Sequence, residues 1–457
     1  MSETRSAIVS SDKVDPKRAD LVLQPEGNLY TGIKPFSLIF SEPTSLEQDA
    51  LLVASTIYAC DLAFKRGERE NITRSIEVAI PVVNFQAFER LKPELEYILY
   101  VLSHDSWTFT FERAKGSPEE VRDWPATSGK TLLFSGGLDS FAGAVDLLDD
   151  YGVAGVQLAS HVTANPVTKG SQEDLTAYLE RQYGAPLDRV VVRTGGRKHG
   201  DLSFPSDTER EETQRTRSFM FLAIAALAAR RRGRSEIVMI AENGQMAIHL
   251  PLSAARIGAF STHTAHPEFV HKVGEFLTEL LGYQIRVENP YLYKTKAEVI
   301  EKLIKSHKEA VELSVSCWRG SRLGKKYKHC GQCVPCLIRR IAVEYHGLSL
   351  PEYERDILSE NVAALPPTDE GKRNVSEIGE FAYAFSSQKD ADLMFNYLDL
   401  INEHFALNRA IDMYRRFARE AEAVLSRYAG VKPILKFSGS LPAGRKATKT
   451  GGRKKRK

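Results

Sequence analysis

The stretch Thr131-Leu-Leu-Phe134-Ser135-Gly136-Gly137-Leu138-Asp139-Ser140 limits what this chain can fold into more than any other. An apolar strand, Thr131–Phe134, runs into two consecutive glycines, and helical character resumes over Phe141–Asp149. A glycine pair lets the backbone turn tightly and approach a ligand with no Cβ in the way. The N–H groups opening the next helix, backed by the positive end of its dipole, then suit an anion. The Ser135 and Ser140 hydroxyls add donors, and Asp139 is placed either to hold Mg2+ or to cap the helix. A Walker loop, which ends in Gly-Lys-Ser/Thr, is a different device.

Around this turn, residues 130–350 alternate short strands with helices. Strands are expected at Thr131–Phe134, Val153–Leu158, Arg189–Val192 and Ile237–Ile240, and helices at Phe141–Asp149, Gln172–Gln182 and Gln214–Arg231. That alternation implies parallel pairing, hence an α/β, doubly wound parallel sheet. Residues 1–30 are polar and read as a disordered lead-in. An N-terminal α+β domain is expected over 31–115, with strands at Phe36–Phe40, Ile76–Val83 and Trp107–Glu112 and helices at Leu46–Lys65 and Phe85–Leu102. Lys115–Gly129 reads as a linker. A helical extension spans 351–431, clearest at Ala391–Phe405 and Ala410–Tyr428, and 432–457 reads as a basic disordered tail.

The formal charge of +3 hides an asymmetry. Arg445 to Lys457 holds eight Lys/Arg and no acid, so subtracting those eight from +3 leaves −5 for residues 1–444. The body is therefore not expected to be a general nucleic-acid binder. Met1–Val14 lacks the apolar stretch of a signal peptide, and the longest apolar run, Phe219–Ala229, is shorter than the roughly 20 residues a membrane helix needs. The protein is expected in the cytoplasm.

Four of the five cysteines fall at Cys317, Cys330, Cys333 and Cys336, a C-x12-C-x2-C-x2-C spacing. Three thiolates within seven residues converge on one ion and an upstream fourth completes a tetrahedron, with Gly331 and Pro335 supplying turns. A closed structural Zn2+ site is the leading reading and an iron–sulfur cluster its rival. Cys60 stands alone in an apolar helix and reads as a core residue.

With the turn and the knot in one frame, the chain resembles the 7-cyano-7-deazaguanine synthase (QueC) family of N-type, PP-loop ATP pyrophosphatases. The resemblance rests on Phe134 to Ser140, on Ser316-Cys317-Trp318, and on His329-Cys330-Gly331-Gln332-Cys333-Val334-Pro335-Cys336-Leu337-Ile338-Arg339. Thr216-Arg217-Ser218-Phe219 and Pro290 through Lys296-Ala297-Glu298 fit two further family segments. The match covers about half the chain, Lys130 to Leu350. Three departures stand out. Ser218 replaces an Asn, Thr264-Ala265-His266-Pro267-Glu268-Phe269 replaces an Asp-Cys-Arg-Pro-Glu-Phe recognition segment, and the gap after Cys317 is long and basic (Arg319, Arg322, Lys325, Lys326, Lys328). The added flanking parts make the chain similar to the enlarged QueC-like proteins of bacterial anti-phage (Qat) systems.

The resemblance implies a sheet of the adenine nucleotide alpha hydrolase (HUP-like) type, with ATP, Mg2+ and structural Zn2+ as cofactors. It implies that Phe134, Ser135, Gly136, Gly137, Leu138, Asp139 and Ser140 bind ATP. A substrate carboxylate would attack the α-phosphorus, and an amine would then displace AMP. Arg217 and Lys296 are the expected catalytic cations, and Asn243, Gly244 and His266 the expected substrate-binding residues. The histidines at 249, 263, 266 and 271 fit no ligand spacing. Expected partners are a deazaguanine carboxylate, an operon-encoded protein whose amine accepts the acyl group, and a second copy in a homodimer. A membrane is not expected, and nucleic acid only through the basic tail. The alternatives are a housekeeping synthase of queuosine biosynthesis and a PP-loop tRNA-modifying enzyme.

Overall fold

The computed structural model describes residues 4–12, 15–67, 73–119, 126–162, 166–234, 237–252, 263–319, 323, 326–350 and 353–435. The stretch 120–125 of the expected linker, Arg322 and Lys325 of the basic gap, and 436–457 of the expected tail lie outside them.

The N-terminal part runs β1 (Thr4–Val9), β2 (Leu21–Leu23), β3 (Leu29–Tyr30), α1 (Ile33–Phe40), α2 (Ser45–Ala63), β4 (Ser75–Val82), α3 (Phe85–Arg90), α4 (Lys92–Ser103) and β5 (Ser106–Arg113). Its sheet has the order β2-β1-β4-β5 and every pairing is parallel. The unit is thus α/β, with helices as crossovers, rather than the expected α+β. Within the lead-in expected over residues 1–30, β1 and β2 belong to this sheet, and β1 buries Ala7 and Val9. A short strand with one polar face carries little hydrophobic signal. The strand expected at Phe36–Phe40 is a helix; Phe36 and Phe40 bury together four residues apart while Leu38 points out at 88% exposure. The helix expected over Phe85–Leu102 breaks at Leu91, where Pro93 opens the next helix.

The central part runs β6 (Lys130–Leu133), α5 (Leu138–Tyr151), β7 (Val156–His161), α6 (Pro166–Tyr183), β8 (Asp188–Val192), β9 (Gly195–Gly196), α7 (Arg217–Arg231), β10 (Ile237–Met239), α8 (Gly244–Ile248), α9 (Pro267–Leu281), β11 (Arg286–Glu288), α10 (Lys296–Ser306) and α11 (Val334–Tyr345). Its sheet is the doubly wound parallel one, in the order β11-β10-β6-β7-β8. The chain leaves β6 towards β7 and β8, then returns to lay β10 on the other side of β6. The carboxyl ends of β6 and β10 therefore flank a topological switch point, where open α/β sheets place ligands.

Helix α7 explains the longest apolar run. It is buried from Phe219 through Arg230, packed between the central sheet and α2 of the N-terminal unit. A helix apolar all round must be covered all round. Each buried Phe, Met, Leu or Ile there contributes about 1.5–3 kcal/mol, which joins the two units into one core. Strands β3 and β9 add an antiparallel link between them.

Three further helices follow, α12 (Glu370–Ser387), α13 (Asp390–Asn396) and α14 (Leu407–Leu425), and pack with α11 around Phe381, Phe385, Tyr414 and Phe417. The helix expected over Ala391–Phe405 ends at Asn396 and gives way to a 3-10 turn at Leu398–Leu400. No helix among the described residues is long and apolar enough to cross a membrane.

Candidate active site and cysteine knot

The glycine turn joins β6 to α5 as its sequence predicts. Gly136 has φ +80, a strained conformation for any other residue, and a Cβ there would sit a tight 3.1 Å from the Gln172 backbone nitrogen. Its carbonyl accepts from Ser171 Oγ at 2.7 Å and from the Val315 N–H at 2.9 Å, and Gln172 Nε2 donates to the Ser135 carbonyl at 3.3 Å. Gly137 is the N-cap of α5 and offers no side-chain acceptor, which leaves first-turn N–H groups for a ligand. Ser135 Oγ and Ser140 Oγ are 3.1 Å apart at its mouth. Phe134 and Leu138 are buried beneath, and Phe134 is fixed by Ser160 Oγ at 2.8 Å from its carbonyl oxygen.

Asp139 does not cap the helix. Its Oδ2 accepts from Lys296 Nζ at 2.8 Å and from Asn243 Nδ2 at 2.7 Å, while Oδ1 is buried with no hydrogen-bond partner among the described residues. Burial opposes its ionisation most strongly, but the Lys296 charge and the hydrogen bonds from Glu242, Lys296 and Asn243 together outweigh it and hold the Asp139 carboxyl below its usual range. Glu242, which the sequence reading missed, stands beside it and accepts from Asn243 Nδ2 at 3.1 Å. Burial and the Asp139 charge push the Glu242 carboxyl well above the usual range. The sequence signal was available: Glu242 is the acid directly before Asn243, just past β10. These four side chains come from the first turn of α5 after β6, the stretch after β10 and the start of α10, and meet at the switch point.

Asn243 is fully buried and its side-chain amide is spent, donating to both acids and accepting from the Met246 N–H at 3.2 Å. Its position is that of a framework residue. A Cβ on Gly244 would lie 2.1 Å from the Leu292 carbonyl oxygen, so glycine serves close packing there. Arg217 opens α7, and its guanidinium has neither ion pair nor hydrogen bond among the described residues. Burial, then the Arg217 charge, drive the imidazole of His161 at the end of β7 down to about 3. The preceding Thr216 is held by Asp61 of α2, whose Oδ2 accepts from the Thr216 N–H at 2.9 Å and hydroxyl at 3.0 Å. Asp61 also pairs with Arg74 at 2.5 Å. His266 is buried at the start of α9, its ring 4.7 Å from His263 and 6.2 Å from Phe405. Burial, then His263, push it down to about 3, and no hydrogen bond or ring contact joins it to the turn.

The Sγ atoms of Cys317, Cys330, Cys333 and Cys336 all lie within 4.8 Å of one another. Cys317–Cys333 and Cys330–Cys336 are both 3.9 Å apart. Thiolates about 2.3 Å from one tetrahedral ion stand about 3.8 Å from each other, so the four fit a single zinc-like ion. An iron–sulfur cube, with a thiolate on each iron, would spread them wider. Three residues beyond Cys336, the buried Arg339 donates to the Val311 carbonyl at 2.7 Å and to Ser314 Oγ at 2.8 Å. The knot thus anchors 311–316, the same segment that clamps Gly136.

Fold and site together define an α/β protein of the PP-loop class. Residues 199–347 match the family described as queuosine biosynthesis protein QueC. The 7-cyano-7-deazaguanine synthase of Brucella ovis is 25% identical over 240 residues, covering 50% of this chain and 94% of that protein. The synthase of the same name from Sinorhizobium fredii is 26% identical over 239 residues, covering 49% and 92%. Over this part the chain is similar to QueC proteins, and it extends beyond the shared part on both sides.

Proposed function

We propose that the chain is an ATP-dependent enzyme that adenylates a carboxylate of the deazaguanine type, releases pyrophosphate and passes the acyl group to an amine. One observation carries this reading: a glycine turn with free first-turn N–H groups and a buried acid–lysine–acid cluster meet at the switch point. The turn's N–H groups and the Ser135 and Ser140 hydroxyls bind the leaving phosphates. Lys296, positioned by Asp139, and Arg217, which has no ion pair among the described residues, offset charge that grows on the attacked phosphorus. Asp139 Oδ1 and Glu242 are the groups that would hold a Mg2+ ion, which would neutralise phosphate charge. The four cysteines hold zinc in a structural role, since a closed tetrahedral site leaves no open position.

The altered segment Thr264–Phe269 and the two added parts favour the defence-type variant, in which the amine belongs to an operon-encoded protein. The housekeeping synthase instead uses ammonia. A mass-spectrometric assay with the deazaguanine acid, ATP and ammonia separates them. AMP released only when the neighbouring protein is added supports the defence reading; a nitrile formed from ammonia alone overturns it. Absence of ATP–pyrophosphate exchange with any such acid would overturn adenylation itself.

A further inference from the structure

We infer that Glu420, on the C-terminal helix α14, is a positioning residue for Lys296, so that the extension completes the active site instead of merely decorating it. Lys296 is the first residue of α10 and Thr295 is its cap. Thr295 Oγ1 accepts from the Glu298 N–H at 3.2 Å and donates to Glu420 Oε1 at 2.6 Å, so the cap is fixed from both sides. Glu298 closes the reciprocal bond to the Thr295 N–H at 2.9 Å and is gripped in turn by Arg416 Nε at 2.6 Å. Arg416 also donates to the Tyr293 carbonyl at 2.7 Å. The same helix covers the other arm of the site. Met413 Cε lies 3.0 Å from where a Gly244 Cβ would be, and Tyr414 Oη accepts from the Leu250 N–H at 3.3 Å. One helix therefore backs both segments that deliver side chains to Asp139.

Glu420 is 5% exposed. Burial pushes its carboxyl up to about 7; the Thr295 hydroxyl, Arg416 and Arg419 pull it down, and Glu298 pushes it further up. Because the folded pKa is raised, the stability it contributes is full below the ordinary carboxylate range and is lost as pH rises through about 7. Ionisation strengthens the Thr295 bond but leaves a carboxylate buried against α10, and because burial is the larger effect the contact between α14 and the Lys296 cap loosens in mild alkali.

This inference rests on the adenylation reading only for its kinetic readout, so the test has two arms. In the first, amide hydrogen exchange at residues 295–298 is followed from pH 6 to pH 8.5 in wild type, E420Q and E420A, corrected for intrinsic rates. We expect wild type to loosen through about pH 7, E420Q to show no such step, and E420A to exchange faster by about 5-fold, the loss of the one hydrogen bond that holds the Thr295 cap from behind. In the second, ATP–pyrophosphate exchange should fall about 10-fold or more in E420A and be restored by E420Q at pH 6.5. Should E420A fail to fold, Thr295→Val against Thr295→Ser makes the same comparison at the other end of the bond. Identical protection and pH behaviour in all three proteins overturns the inference. An inactive wild type that still shows the pH step strikes the adenylation reading and leaves this one standing.

Discussion

At the scale of single residues, Lys296 and Asp139 form a buried pair with side chains 9% and 7% exposed. Removing one partner of such a pair leaves an uncompensated charge. Lys296→Met should therefore cost about 3–5 kcal/mol in urea unfolding, and more than about 100-fold in ATP–pyrophosphate exchange. Gly136→Ala tests the turn separately. Forcing a Cβ into φ +80 against Gln172 should cost about 1–2 kcal/mol and weaken ATP binding in a calorimetric titration, with the knot's metal content unchanged. What the sequence showed at this scale was whatever chemistry is local. Ser135 to Ser140 and the three clustered cysteines declare themselves by spacing. Glu242 was missed because an acid past a strand means little until Asn243 bridges it to Asp139, 104 residues away. Asp61 and Glu420 are reached across 155 and 125 residues, and no periodicity announces such pairs.

At the scale of elements, the knot, α11 and the segment 311–316 act as one brace on the turn. Cys333→Ser should lower bound zinc in elemental analysis and speed hydrogen exchange at Val315, whose N–H donates to the Gly136 carbonyl at 2.9 Å. A loss of zinc with Val315 protection unchanged would separate the knot from the turn. The central strands and their crossovers were legible because short apolar runs alternate with helical ones. The errors lie in the flanks. Phe36–Phe40 reads equally well as strand or helix when its apolar residues are contiguous, and β1 is too short and too polar on one face to stand out. Leu91 gave no sign of a break except Pro93 two residues later.

At the scale of the whole molecule, the N-terminal unit holds the start of α7 as α14 holds the start of α10. Asp61 is fully buried between Arg74 and Thr216, so Asp61→Asn should destabilise the protein by about 3–5 kcal/mol and raise the KM for ATP by displacing Arg217. A variant that lost stability while keeping its KM would show Asp61 to be structural only. Because α7 lies inside a core shared by both sheets, the backbone between β5 and β6 is not a seam at which the molecule comes apart. A protease that nicks the chain there should give two bands on a denaturing gel but a single peak on a sizing column, and the clipped enzyme should go on turning over.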